Sequence, residues 1–155
     1  MDREVFVRMK KAIKRSVKMR FQTKIFNGDH SDSYEFTTRG ELFHKGNQDY
    51  LRFEEAFSEN ESVQTTMKWD GRELMLIRQG SILMRQGFIV GEETRGRYVT
   101  PDASWETKAL TDKLLVQWPS GKTRGKIKLI YKFKLQDQET GTHEVRLTLE
   151  EDTET

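Results

Sequence analysis

From Ser16 onward, apolar and polar residues alternate along this chain with a period of two. Val17, Met19, Phe21, Thr23 and Ile25 alternate with Ser16, Lys18, Arg20, Gln22 and Lys24, the pattern of a strand with one buried and one wet face. Asn27-Gly28-Asp29 then turns the chain. A second strand sets Tyr34, Phe36 and Thr38 against Glu35, Thr37 and Arg39, bends at Gly40 and stops at Gly46-Asn47. A third runs from Tyr50 to Phe57, and its apolar row of Leu51, Phe53 and Phe57 takes Glu55 into line. A fourth carries Val63, Thr65, Met67 and Trp69 and meets Asp70-Gly71, where both residues tolerate positive φ.

The next two strands, Glu73 to Arg78 and Ser81 to Phe88, form a hairpin around Gln79-Gly80. A two-residue loop there sets Ile77 against Ile82 and Met75 against Met84, and a four-residue loop leaves that parity unchanged. The expected interior row is therefore Met75, Ile77, Ile82 and Met84, continued by Gln86 and Phe88; the other face carries Leu74, Leu76 and Leu83 with Arg78, Ser81 and Arg85. Arg95 to Thr100 and Ser104 to Gln117 follow. The last two strands alternate most cleanly. Ile127, Leu129, Tyr131 and Phe133 face in against Lys126, Lys128, Lys132 and Lys134, and Val145, Leu147 and Leu149 face in against Glu144, Arg146 and Glu150. Pro119-Ser120-Gly121-Lys122 and Gln138-Glu139-Thr140-Gly141 read as their loops, with Lys facing Glu across the pair to fix register.

Nine or ten sequential strands with short turns and no long crossover predict an all-β fold, a single closed antiparallel up-and-down barrel. Closure removes the edges that such strands otherwise expose. A barrel of about eight strands is just wide enough to be filled by its own side chains or to hold one small ligand. Ahead of it, Val5, Met9, Ala12 and Ile13 recur at helical spacing, so a short amphipathic helix is expected from Arg3 to Arg15. The chain thus divides into a basic extension over 1–15, a barrel over 16–150 and an acidic tail over 151–155.

At 155 residues, one core is enough to fold alone. Equal shares of hydrophobic and charged residues, 34% each, make the chain polar, but its 9 Phe, 4 Tyr and 3 Trp argue against disorder. The absence of Cys removes disulfides and thiolate metal sites, and the cytoplasm is the expected compartment. No apolar run reaches membrane-spanning length, so no membrane partner is expected. The net charge of +2 hides an asymmetry: the chain through Lys24 carries +7 and the remainder −5. The acidic close at Glu150, Glu151, Asp152 and Glu154 offers that basic start an internal partner. Arg8, Lys10, Lys11, Lys14 and Arg15 could instead contact RNA or an acidic protein.

The order of residues resembles a known family. Tyr50-Leu51 with Phe53-Glu54-Glu55, then Thr65, Arg78-x-Gly80, Met84, Gln86, Phe88 and Gly91, and finally Tyr98 and Thr111, is similar to the YwiB-like family of small bacterial proteins of unknown function. The resemblance spans about Val17 to Leu149. It implies a calycin-like, lipocalin-type barrel in a bacterial cytoplasm and transfers no catalytic residues. Where that family usually has a Gly after Tyr98 and its loop, this chain has Asp102-Ala103-Ser104.

Candidate chemistry is sparse. Glu55, Thr65 and Gln86 share parity with apolar rows, so a barrel turns them inward, where they need partners and are expected to meet in one polar cluster. Arg78, at a strand end, can swing to the mouth and give Glu55 a charge-assisted bond. With Tyr131 on the interior row, these residues read as the polar anchors of a ligand site with an apolar floor. The competing reading is a satisfied internal network that only fixes register. His30, His44 and His143 lack metal-ligand spacing, no Gly-x-Ser-x-Gly nucleophile occurs, and the acid pairs Glu54-Glu55 and Glu92-Glu93 point to opposite strand faces. Gly80, Gly87 and Gly91 read as turns and bulges rather than a phosphate loop. Trp69, Trp105 and Trp118, near turns, are expected to plug barrel ends, with base stacking as the alternative. The expected function is therefore a non-enzymatic barrel without a cofactor that binds a small, partly apolar molecule or serves as an interaction module; the alternative is an RNA-associated module using the basic N-terminus.

Overall fold

Strands that are greasy on one side and charged on the other bury the first side only by curling around it. In the computed structural model, which describes residues 13–56 and 61–152, they do so as a closed ring. The elements are β1 (Arg15–Asn27), β2 (His30–Lys45), β3 (Gln48–Ala56), β4 (Ser62–Trp69), β5 (Glu73–Gly80), β6 (Leu83–Ile89), β7 (Glu93–Val99), β8 (Ser104–Gln117), β9 (Gly125–Leu135) and β10 (Gln138–Glu151). Each pairs antiparallel with the next, and β1 pairs with β10 to close the barrel. The helix expected from Arg3 to Arg15 falls mostly on residues outside those described, and Arg15 already opens β1. At the other end Glu151 belongs to β10 rather than to a tail. The expected attraction between the chain's two ends is realised at this seam. Lys18 faces Glu150 and Lys24 faces Glu144 in register, Arg15 pairs with Glu151, and Arg39 reaches Asp152 at 3.5 Å.

Three local expectations are corrected. Arg78 pairs with Met84, Leu76 with Gln86 and Leu74 with Phe88, so an odd number of residues separates the last paired positions of β5 and β6. That odd count inverts the parity of β5. Leu74, Leu76 and Arg78 face the lumen, while Met75 and Ile77 face out, and the Ile77–Ile82 and Met75–Met84 pairs do not form. Gly80, at φ +145°, allows this turn to lie against the backbone of Ser62, where a Cβ would come within 2.6 Å of the carbonyl oxygen.

The β9–β10 turn sits earlier than expected, at Gln136 and Asp137, which both take positive φ (52° and 65°) as a two-residue hairpin turn requires. Gln138 to Gly141 consequently lie in β10, which bulges between Glu139 and Gly141. The resulting register does not set Lys against Glu across this pair as expected. Lys126 faces Thr148, Lys128 faces Arg146 and Lys132 faces Thr142, and among these lysines Lys134 alone meets an acid, Glu139. The β10 glutamates face β1 instead. The loop that lacks the usual Gly after Tyr98 closes through reciprocal backbone bonds between Thr100 and Ala103 (2.9 and 3.4 Å), with Pro101-Asp102 at its tip.

The two ends of the barrel differ. The end bearing the β2–β3, β4–β5 and β8–β9 turns is packed solid by Val17, Leu51, Ile127, Leu147 and Leu149, each fully buried. There Trp118 donates to Asp49 Oδ2 at 3.0 Å and Trp69 packs on the core, as end-plugging predicts. The opposite end, bearing the β1–β2, β5–β6, β7–β8 and β9–β10 turns, stays open. Trp105 sits there in tilted contact with Tyr98, ring centroids 5.7 Å apart.

Candidate ligand-binding site in the barrel lumen

At the open end, alternate residues of eight strands enclose a cavity of about 320 Å³. Its walls are apolar and aromatic: Phe21, Met67, Leu76, Met84, Phe88 and Leu129 line it, with Tyr34, half exposed, at the rim. The inverted parity of β5 shapes this chamber, since it delivers Leu74, Leu76 and Arg78 into the lumen in place of Met75 and Ile77.

Glu55, Thr65 and Gln86 are all buried inside the barrel as expected, with exposures of 3%, 0% and 0%. They do not form the expected single cluster. Thr65 Oγ1 donates to Glu55 Oε1 at 2.8 Å, and Arg78 donates to the same carboxylate through Nε and Nη2 at 3.3 Å. Neighbouring strand positions make this possible: Thr65 faces Arg78 across β4–β5, and Glu55 lies two pairs further along, on the same face, opposite Val63. Gln86 belongs to a separate network on the β6–β7–β8 side. Its Nε2 donates to the Gly87 carbonyl at 3.0 Å and to the Thr94 hydroxyl and carbonyl at 3.2 Å, while its Oε1 accepts from Thr107. Gly96 is required beside it, because a Cβ there would come within 2.6 Å of Thr107 Oγ1. Gln86 has its amide donors and its carbonyl engaged, so it holds three strands together and does not line the chamber.

Arg78 and Tyr131 do line it. Among the described residues Arg78 Nη1 meets only the thioether of Met84, at 3.5 Å, a weak acceptor that leaves donor capacity directed at the cavity. Tyr131 is packed among Phe88, Phe133 and His143, and no described residue hydrogen-bonds its hydroxyl. Burial pushes this phenol's pKa up, against the pull of the Arg78 charge, so it remains a donor at neutral pH.

Two further wall residues were not singled out from sequence. Thr23 is 4% exposed and its Oγ1 is buried without a partner. His143 stacks on Tyr131 at 5.0 Å, and burial lowers its pKa to about 4, so the ring is neutral. The Thr140 hydroxyl spends its one proton on the Phe133 carbonyl (3.1 Å), so His143 Nε2 must donate to Thr140 Oγ1 at 2.9 Å. That tautomer leaves Nδ1 as an acceptor. A stretch reading "Thr in an apolar row" or "His at a strand start" carries no signal of lumen access until the barrel is closed.

The basic residues offered for an alternative nucleic-acid role divide differently. Arg8, Lys10 and Lys11 lie outside the described residues. Lys14 pairs with Glu41 at 3.4 Å, and Arg15 is taken up by Glu151 and the Pro119 carbonyl. Among the described residues, no group of three His, Asp or Glu side chains could hold a metal ion.

Residues 19–147 match the model of the family described as "Domain of unknown function (DUF1934)". The chain is 25% identical over 134 residues to "Uncharacterized beta-barrel protein YwiB" of Bacillus subtilis (strain 168), a match covering 86% of this chain and 92% of that protein. The crystal structure of the ywiB protein from Bacillus subtilis superposes with a TM-score of 0.80 over 90% of this chain and 94% of that one, at 23% identity.

Proposed function

From the premise that this chain belongs to the DUF1934 family of β-barrels of unknown function, we propose that it holds a small, partly apolar molecule with a hydrogen-bonding head group in its lumen, without catalysing a reaction on it. The observation that carries this reading is the partly empty barrel, in which the buried Thr23 hydroxyl faces a chamber of about 320 Å³ without a partner. That volume is at the lower end of small-molecule pockets and corresponds to about ten waters. A purely structural core would gain by filling the space, since cavities and unpaired buried hydroxyls both cost stability.

The polar groups define the head group. Arg78 Nη1 and the Tyr131 hydroxyl offer donors, the neutral His143 offers an acceptor, and the Thr23 hydroxyl can serve as either. Glu55 already neutralises Arg78, so an uncharged amide or hydroxyl head is accommodated without burying an unpaired charge. The chamber wall would enclose the apolar remainder. This arrangement is the one expected of the calycin-like cup that the family resemblance implies, and a cytoplasmic metabolite is the simplest occupant.

The test is to titrate the purified protein with a panel of metabolites and short fatty acids, following Trp fluorescence and melting temperature. Trp105, through its contact with the cavity-lining Tyr98, is the expected reporter. A saturable response that Leu76→Phe removes while the fold is retained supports the reading. No response to any compound would leave a structural barrel.

A further inference from the structure

The outer wall formed by β8, β9, β10 and β1 is unlike the rest of the barrel. Lys24, Lys113, Lys126, Lys128, Lys132 and Arg146 point outward from it, and none of the six forms an ion pair among the described residues. The acids nearby are engaged or outnumbered: Glu150 pairs with Arg124 at 3.4 Å, and Glu144 faces Lys24 in register.

The register places like charges side by side. Lys128 lies directly opposite Arg146, with Gln22 beyond it on β1 and Leu115 on the other side. Like charges directly opposite each other weaken a sheet, and neither member of this pair forms an ion pair among the described residues. The wall is also concave. A depression of about 120 Å³ is lined by Gln22, Lys24, Lys128, Glu144 and Arg146. One step further along β1 and β10, a groove of about 610 Å³ is lined by Lys18, Arg20, Arg39, Arg124 and Glu150.

We infer that this wall is a binding surface for single-stranded nucleic acid, independent of whatever occupies the lumen. Outward positions two residues apart on a strand lie about 6.5–7 Å apart. Lys126 and Lys128 on β9 thus lie at a spacing comparable to that of successive phosphates on an extended strand, and Lys132 lies two such steps beyond Lys128, past Ile130. An aromatic side chain completes the surface. Phe26 points outward from β1 with 41% exposure, two residues from Lys24 and opposite Thr142, whose other neighbour is Lys132. A flat ring among cations is a stacking platform for a base.

The experiment uses the full chain and a labelled, mixed-sequence single-stranded RNA, with fluorescence anisotropy read across a salt series. Neutralising about four phosphates predicts a log–log salt slope of about −3. Lys128→Gln with Arg146→Gln should weaken binding about ten-fold at low salt and flatten the slope by about 1.4. Arg52→Gln with Lys68→Gln, on β3 and β4 at the opposite side of the ring, should leave both unchanged, and circular dichroism melts confirm that each variant folds. Phe26→Ala should weaken binding a few-fold with the slope intact. Absence of salt-dependent binding, or equal loss from the two double variants, overturns the inference. So does poly-glutamate binding as tightly as RNA with Phe26→Ala affecting neither, a result that would assign the wall to an acidic protein.

Discussion

Arg78→Met tests whether the inverted β5 parity creates an internal ion pair on which the barrel depends. The guanidinium makes three contacts of 3.3–3.5 Å with Glu55, whose side chain is 4% exposed against 16% for Arg78. Removing the cation leaves a buried carboxylate with one hydroxyl donor, Thr65, and breaking such a pair costs about 3–5 kcal/mol. Because Arg78 sits toward the open end, water can reach part of the vacated site, and about 3 kcal/mol is the expected loss. In a protein of this length that corresponds to a fall in Tm of roughly 6–12 °C. Glu55→Gln should cost less, since the partly exposed guanidinium can turn to solvent while the amide still accepts from Thr65. The double variant Glu55→Gln with Arg78→Met should therefore be more stable than Arg78→Met alone, with a coupling of about 2 kcal/mol. Urea denaturation followed by far-UV circular dichroism, with m-values checked for constancy, measures all four corners of this cycle. A loss below about 1 kcal/mol for Arg78→Met, or strict additivity in the double variant, would refute the reasoning and with it the inward placement of Arg78.

Three other outcomes are expected. Gly96→Ala should destabilise by about 2 kcal/mol in the same denaturation assay, because the added methyl collides with the Gln86–Thr107 hydrogen bond that ties β6 to β8. Thr111→Val should raise stability by about 1 kcal/mol, since the Thr111 hydroxyl is fully buried without a partner and the methyl replaces it at nearly the same volume. His143, whose pKa falls from 6.5 to about 4 on folding because burial disfavours the cation, binds its proton more readily when unfolded. Its contribution is therefore complete above pH 6.5 and lost as the pH drops toward 4, so acidification over that window should lower the Tm of the natural protein more than that of His143→Phe.

The sequence revealed the barrel because its strands announce themselves independently. Each of β1, β4, β9 and β10 alternates cleanly enough to give its own inward row, and ten sequential strands without a crossover leave closure as the way to remove edges. The scattered residues from Tyr50 to Thr111 pointed to the same family that the comparisons identify. β5 resisted because both of its faces are apolar enough to be buried: Leu74 and Leu76 compete with Met75 and Ile77, and the loop length decides between them. Gly80 at φ +145° sets that length, and a sequence shows only that a glycine is present. The β9–β10 turn was misplaced for the converse reason, since Gln136 and Asp137 take the positive φ angles that Gly141 seemed placed to supply.

The site was legible in its parts but not in its partition. Parity alone put Glu55, Thr65 and Gln86 inside, but parity gives no position around the ring or along its axis. In the closed barrel Glu55 and Thr65 lie on β3 and β4 while Gln86 lies on β6, where Thr94 and Thr107 from the next two strands satisfy it first. A buried polar group thus bonds to whatever its own cross-strand neighbours supply, and one whose neighbours supply nothing can be left facing the chamber. Thr23 is of that kind: Val145 and Tyr34, opposite it on β10 and β2, leave its hydroxyl without a partner. On the proposed reading its unpaired hydroxyl persists because filling the upper lumen, the remedy used at the packed end, would remove the space a guest requires. Replacing Thr23 by Val separates these demands, since it should stabilise the empty barrel while weakening whichever ligand the titration identifies; stabilisation with undiminished binding would show that the hydroxyl plays no part in recognition.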